Sequence, residues 1–281
     1  MASGTATPGC LYVVATPIGH LDDITLRAVD VLKRVATIAA EDTRHTRTLL
    51  RHLGIAPPRL ISLHEHNEVH ALRLVLEALE AGDVALVSDA GTPLVSDPGF
   101  ELLRAVWQAG GRVVPVPGAS ALTAALSASP IPANDVTFAG FLPSKPGPLA
   151  RRLDAFAGFP GAVVFFEAPH RVVATVAAIA ERFPDRDLFV GRELTKVHET
   201  LLFGPAAELL PVLEAEHRGE FVLMLAPGEA SPSVAGDELV QELAGLLPPR
   251  KAARVIARLC GGDTRGWYDK LVAKASDGAV E

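Results

Sequence analysis

From Cys10 onward, short apolar runs alternate with stretches whose apolar residues recur at helical spacing. Residues 11–15, 36–40, 60–63, 84–87 and 113–116 have the length and composition of buried strands, and residues 26–35, 46–53, 71–81 and 100–109 read as the helices between them. This rhythm predicts βα units and a parallel sheet. In such a sheet the loops that leave the carboxyl ends of the strands converge on one edge, so ligand-binding residues are expected there. Pro117-Gly118 interrupts the pattern, and a small-residue helix over 121–128 runs into Pro130-Ile131-Pro132, which cannot continue it. Further on, strand candidates at 136–140, 162–166, 188–191, 200–203 and 221–225 come with helices only at 172–182 and 206–214, a pattern that predicts a mixed sheet. A Pro/Gly/Ser-rich stretch then precedes helical segments at 237–247, 250–259 and 264–275. The expected organisation is a disordered lead (1–9), an α/β domain (10–118), a second α/β domain (119–227), a linker (228–236) and a helical, basic C-terminal region (237–281).

Composition narrows the partners. The chain has 281 residues, 49% of them hydrophobic, enough for two cores. Its net charge of −7 argues against a protein that coats nucleic acid through a global positive field, so any such contact must use local patches. One patch is visible: residues 250–274 carry seven lysines and arginines, among them Arg250, Lys251, Arg254 and Arg258, against Asp263 and Asp269. The bland alternative is a solvated helical cap packed through Val255, Ile256, Leu259 and Leu271. The two cysteines have neither metal nor redox spacing, the start of the chain lacks the pattern of a secretory signal, and no apolar run is long enough for a membrane helix; together these predict a cytoplasmic protein without a membrane anchor.

Two loops stand out. Thr16-Pro17-Ile18-Gly19-His20 follows the first strand as a tight turn but lacks the glycine spacing of a dinucleotide site. Ser88 through Gly99 follows the fourth strand with two glycines, two prolines, Asp89 and Asp97; the aspartates can accept hydrogen bonds from ammonium or hydroxyl groups, although Asp97-Pro98 also suits a plain helix start. Arg44, Arg47 and Arg51 fall on one helical stripe, able to grip phosphates or simply to face solvent. His64, His66 and His70 sit in a polar loop entering a helix, and no metal is expected there.

Seven stretches occur in order: Thr16-Pro17-Ile18-Gly19, Glu41-Asp42-Thr43-Arg44, Ser88 through Gly99, Pro117-Gly118-Ala119-Ser120-Ala121, Gly140-Phe141-Leu142-Pro143, Phe166-Glu167-Ala168-Pro169-His170-Arg171 and Gly191 through Glu199. Together they resemble the ribosomal RNA small-subunit methyltransferase I family of the tetrapyrrole-methylase superfamily, over residues 10 to 275. His20 and Pro130 depart from the family's usual asparagine and glycine.

The resemblance implies a two-domain tetrapyrrole-methylase-like α/β fold, and S-adenosyl-L-methionine as the methyl donor for a cytidine ribose 2′-oxygen in 16S ribosomal RNA. It places cofactor contacts at Pro17, Asp89, Gly91, Thr92, Leu94, Val95, Ser120, Ala121, Phe166, Glu167, Leu194, Met224 and Ala226. RNA contacts are expected from Arg44, Arg47, Arg51, Arg171, Arg192 and the basic tail, and a homodimer is the expected assembly. A ribose hydroxyl is a weak acid, so a base or cation beside it is useful; the candidates are Lys196, then Glu167, Glu193 and His170, though Glu167, Arg171, Arg192 and Glu193 could equally be an ion-pair network knitting strands together. Two other functions remain: a porphyrin or corrin methylase, against which the basic tail and Arg44 stripe speak, and an RNA-binding assembly factor without catalysis, against which the intact Ser88–Gly99 loop speaks.

Overall fold

A computed structural model describes residues 9–64, 67–228, 234–244 and 246–277. The lead over 1–8, His66 and residues 229–233 of the expected linker lie outside them. The first half alternates as its pattern predicts: β1 (Cys10–Val14), α1 (Leu26–Arg34), β2 (Thr37–Ala40), α2 (Thr43–His52), β3 (Arg59–Ser62), α3 (Glu68–Ala81), β4 (Val84–Val87), α4 (Phe100–Gln108) and β5 (Arg112–Val116). The five strands form one parallel sheet in the order β3-β2-β4-β1-β5. Its β2 and β4 are buried along their whole length, which is why they read as unbroken apolar runs. One face packs through Leu11, Ile61, Leu79, Leu86 and Leu102, the other through Val14, Leu32, Ile38, Leu50 and Val87.

The helix α5 (Ala121–Ala128) leads to a second sheet of β6 (Val136–Phe141), β7 (Ala162–Glu167), β8 (Asp187–Arg192), β9 (Thr200–Pro205) and β10 (Phe221–Leu225), ordered β6-β7-β10-β8-β9. It is mixed: β6 runs parallel to β7, whereas β10 is antiparallel to both β7 and β8. The helices α6 (Pro146–Asp154), α7 (Val172–Arg182) and α8 (Ala206–Ala215) accompany it. The pattern missed α6 because Pro146-Gly147-Pro148 reads as a loop, yet Pro in the first turn of a helix forfeits no hydrogen bond. One face of this sheet is a core of its own. The other, through Val164, Phe189, Leu194, Val222 and Met224, meets α5 and Ile18 from the first half.

The C-terminal helices α9 (Val234–Leu243), α10 (Pro249–Cys260) and α11 (Thr264–Asp277) pack on one another around Ala252, Ala253, Ile256, Trp267 and Leu271. The turn between α10 and α11 is Gly261-Gly262-Asp263; both glycines have positive φ, and the Trp267 indole nitrogen donates to the Gly261 carbonyl at 2.8 Å. No helix of the described residues is long and apolar enough to cross a membrane.

Candidate active site

The loops after β1, β2, β4 and β5 close over a cleft of about 450 Å³ whose far side is the second sheet. Thr16 and Gly91 hold the floor: each amide donates to the other's carbonyl, at 2.8 and 3.0 Å. Gly91 has φ +80°, which favours glycine, and a Cβ there would stand 3.2 Å from the Ile18 side chain, so a larger residue would have to push Ile18 aside. The Thr92 hydroxyl donates to the Ala119 carbonyl at 3.1 Å and ties this loop to the turn before α5. Leu94 and Ser96 also adopt positive φ, at 72° and 75°. Such strain in non-glycine residues persists where surrounding contacts over-determine the backbone, and it clusters at ligand sites.

One wall of the cleft is apolar and the other acidic. Ile18, Ala121, Phe141, Phe166 and Val222 form the first, with the rings of Phe141 and Phe166 5.8 Å apart, edge to face. Glu41, Asp89 and Asp97 form the second. Asp89 accepts from the Asp42 amide at 2.8 Å and faces His45 Nδ1 at 3.0 Å, and its own amide donates to Glu41 at 3.2 Å. Burial, together with the charge of Asp89, pushes the Glu41 carboxyl up against the opposing pull of the Asp89 amide. Asp97 is pushed up to about 6, first by burial and then by the charges of Glu41 and Asp89. It is not a helix cap: Gly99, in a left-handed conformation, precedes α4, and Asp97 turns into the cleft instead.

The residues singled out from sequence divide three ways. Asp89, Gly91, Thr92, Val95, Ser120, Ala121, Phe166 and Glu167 line the cleft. Pro17 is buried just before Ile18, the Leu94 side chain packs toward Leu63 and Leu86, and Leu194, Met224 and Ala226 belong to the core beneath, so none of these five is part of the lining. Of the proposed catalytic groups, only Glu167 reaches the lining, and its side chain is fully buried, bonded to the Thr175 hydroxyl at 2.7 Å and Arg171 at 3.1 Å. Lys196, Glu193 and His170 stand outside it. Lys196 Nζ lies 2.8 Å from Glu193 and 3.0 Å from Glu220, and these carboxylates hold its pKa above the ordinary value although burial alone would lower it.

Among the arginines, Arg171 donates to the Leu142 carbonyl as well as Glu167, and Arg192 is taken up by Glu216 and the Arg218 carbonyl. Arg44 folds back onto Asp42, the residue that caps α2, and Arg47 reaches Thr43; Arg51 is exposed. Arg250, Lys251, Arg254 and Arg258 all face solvent, opposite the buried stripe of α10. Sequence reasoning missed Ile18, Phe141, Val222 and Glu220 as cleft residues, although Ile18 and Phe141 lie inside stretches it had marked. Asp42, His45 and Asp89 offer ligand atoms within 4.8 Å of one another, but hydrogen bonds and ion pairs already occupy them.

A parallel sheet and a mixed sheet facing each other across a ligand-sized cleft define a two-domain α/β protein with its site at the carboxyl edge of the parallel strands. The model described as Tetrapyrrole (Corrin/Porphyrin) Methylases matches residues 10–210. A solved structure of uroporphyrin-III C-methyl transferase from Thermus thermophilus, complexed with S-adenyl homocysteine, aligns with a TM-score of 0.57 at 22% identity, covering 78% of this chain and 97% of that one. The protein named ribosomal RNA small subunit methyltransferase I in Xylella fastidiosa is 46% identical, with 94% of this chain and 99% of the relative covered. Its namesake in Pseudomonas aeruginosa is 45% identical over 90% and 93% of the two chains. Within the tetrapyrrole methylases, the chain belongs to the ribosomal RNA small subunit methyltransferase I family.

Proposed function

We propose that this chain methylates a cytidine ribose 2′-oxygen in 16S ribosomal RNA with S-adenosyl-L-methionine as donor. The observation that carries the reading is the pairing of an aromatic wall, Phe141 and Phe166, with the acidic wall of Glu41, Asp89 and Asp97 across one cleft. An adenine ring suits the first, and a cationic sulfonium and ammonium suit carboxylates that have too little positive charge of their own. Bound there, the donor supplies a methyl group already activated by its sulfonium. The protein's part is alignment and proton removal. The Thr16–Gly91 bridge fixes the floor, Ser120 and Ala121 present the amino end of α5, and Glu220, held by Lys196, borders the side of the second sheet.

An RNA acceptor is favoured over a tetrapyrrole because, outside the residues that the family model matches and after the last strand of the second sheet, the chain adds a three-helix unit whose α10 presents a basic outer face. That unit supplies phosphate contacts that a small-molecule enzyme does not need. The names of the relatives support the same substrate. We place the enzyme in the cytoplasm. A homodimer is supported by Leu201 and Phe203, which are exposed on the same face of the edge strand β9. The test is transfer of labelled methyl to purified small-subunit rRNA or subunits and, in parallel, to uroporphyrinogen, with nucleoside analysis of the RNA. Label in 2′-O-methylcytidine is the expected result, and label in uroporphyrinogen alone would replace this reading with the tetrapyrrole one.

A further inference from the structure

The two rings of the aromatic wall are not equivalent. Phe166 is half-buried and packs edge to face against both Phe138, at 4.9 Å between centroids, and Phe141, at 5.8 Å. Phe141 closes on it from outside and stays 53% exposed on the cleft lining. A lone exposed aromatic is ordinary on a protein surface. This one is put in place by a break in the sheet. β6 pairs with β7 through Phe138 and Val164 and next through Phe141 and Phe166, so three residue steps on β6 match two on β7, which is a β-bulge. Side chains alternate along a strand, and Ala139 packs into the second sheet's own core. Regular pairing would send Phe141 to that same face. The extra residue turns it over to the cleft beside Phe166, and Leu142 takes the core position instead.

The turned strand end is held from both sides. Gly140 has φ +62°, a left-handed conformation that favours glycine, and a Cβ there would lie 3.6 Å from the Ser96 hydroxyl on the loop between β4 and α4. On the far side the Leu142 carbonyl accepts from the Arg171 guanidinium. A bulge, a left-handed glycine and an arginine anchor thus surround one half-exposed ring at the end of an edge strand.

Resting on the RNA methyltransferase reading of the cleft, we propose that Phe141 is the stacking platform for a nucleobase of the RNA acceptor. The donor's adenine then lies against the more buried part of the same wall, Ile18, Phe166 and Val222. Proteins that read single-stranded RNA splay its bases out and lay them on aromatic faces, a contact open to any base because each has a π-face. Bringing a ribose oxygen into a cleft takes its nucleotide out of the RNA stack, and the exposed ring replaces the neighbour that its base gives up. Lys145, exposed on the loop between Phe141 and α6, adds a cation suited to a flanking phosphate.

The test compares the full-length chain with Phe141→Ala, Phe141→Leu and Phe141→Tyr by calorimetry with S-adenosyl-L-methionine, by melting, and by steady-state methylation of small-subunit rRNA. Phe141→Ala and Phe141→Leu remove the ring and are expected to lose about ten-fold or more in kcat/KM for the RNA, carried mainly by KM. Phe141→Tyr keeps it and should stay within about three-fold of wild type. All three should bind the donor within about three-fold of wild type. If Phe141→Ala melts below the assay temperature, the leucine and tyrosine variants decide. Phe141→Leu turning over as well as Phe141→Tyr would make the position a plain apolar contact and overturn the proposal. Donor affinity weakened about ten-fold or more in Phe141→Leu at unchanged Tm would give the ring to the donor's adenine, and overturns it too. A wild-type chain that binds the donor but methylates no rRNA overturns the functional reading and the platform with it, whereas active wild type with unaffected Phe141→Leu removes the platform alone.

Discussion

Lys196 holds Glu220 at 3.0 Å, so a cation from the loop after β8 steadies a carboxylate on the cleft wall without lining the cleft itself. The same ammonium reaches Glu193, whose backbone is left-handed at φ 50° and whose carboxylate also accepts from the Glu220 amide at 2.9 Å. This loop is a brace, and its charge state is fixed in the ionised form on both sides. Lys196→Met should lower kcat by roughly ten-fold with donor affinity little changed, because Glu220 loses its position and the donor's other contacts remain. A loss of about 1,000-fold or more in kcat at unchanged donor affinity would instead make Lys196 part of the proton path.

Glu193 supplies a pH test of the brace. Burial works to raise its pKa, but the Lys196 ammonium and the Glu220 amide outweigh it and hold the carboxyl low. A depressed carboxyl stabilises the fold above its unfolded pKa, about 4.3, and ceases to do so as pH falls through its folded one. Glu193→Gln should thus melt lower than wild type at pH 7, and the two curves should converge on acidification below about pH 4. A gap that persists at low pH would mean that the contribution is packing.

Gly91→Val should abolish donor binding, at least ten-fold in Kd by calorimetry, at a stability cost of about 1–3 kcal/mol for a β-branched residue at positive φ. The close contact is with Ile18 at 3.2 Å, which lines the cleft and also packs on the inner face of the second sheet. A variant that unfolds would make Gly91 a folding requirement first.

Glu167 is expected to be structural. Its carboxylate is wholly buried against Thr175 and Arg171, so Glu167→Gln leaves a half-buried guanidinium short of its counter-charge and should cost about 3 kcal/mol by denaturant titration. The folded fraction should turn over within about ten-fold of wild type. Loss of activity with unchanged stability would return Glu167 to the chemistry.

Neutralising Arg250, Lys251, Arg254 and Arg258 together should weaken RNA binding and reduce the slope of log K against log salt by roughly three, since each phosphate contact contributes about 0.7–0.9. The buried side of α10 is Ala252, Ala253 and Ile256, so Tm should hold. An unchanged salt slope with a lowered Tm would mark the unit as a structural cap.

How much was legible follows from what each feature depends on. The strands β4 and β10 and the helices α5 and α7 stand at the residues their patterns imply, because uniform burial or a small-residue stripe writes itself into local sequence. The Ser88–Gly99 loop could be singled out because glycine and proline mark irregular backbone directly. Side-chain commitments could not be read. That Arg171 closes on Glu167, or that Arg44 folds onto its own helix cap, depends on rotamers, and that Arg171 also reaches the Leu142 carbonyl depends on β6 and β7 lying side by side, which no spacing encodes. Asp97 shows the same limit: next to Pro98 it reads as a helix start, and only the left-handed Gly99 turns it into the cleft.

The most direct test of the central claim is mass-spectrometric mapping of small-subunit ribosomal RNA from a strain lacking this chain, with wild type and Gly91→Val supplied in trans. One 2′-O-methylcytidine should disappear in the deletion, return with wild type and stay absent with Gly91→Val. An rRNA whose ribose methylation is the same with and without the chain would contradict the account.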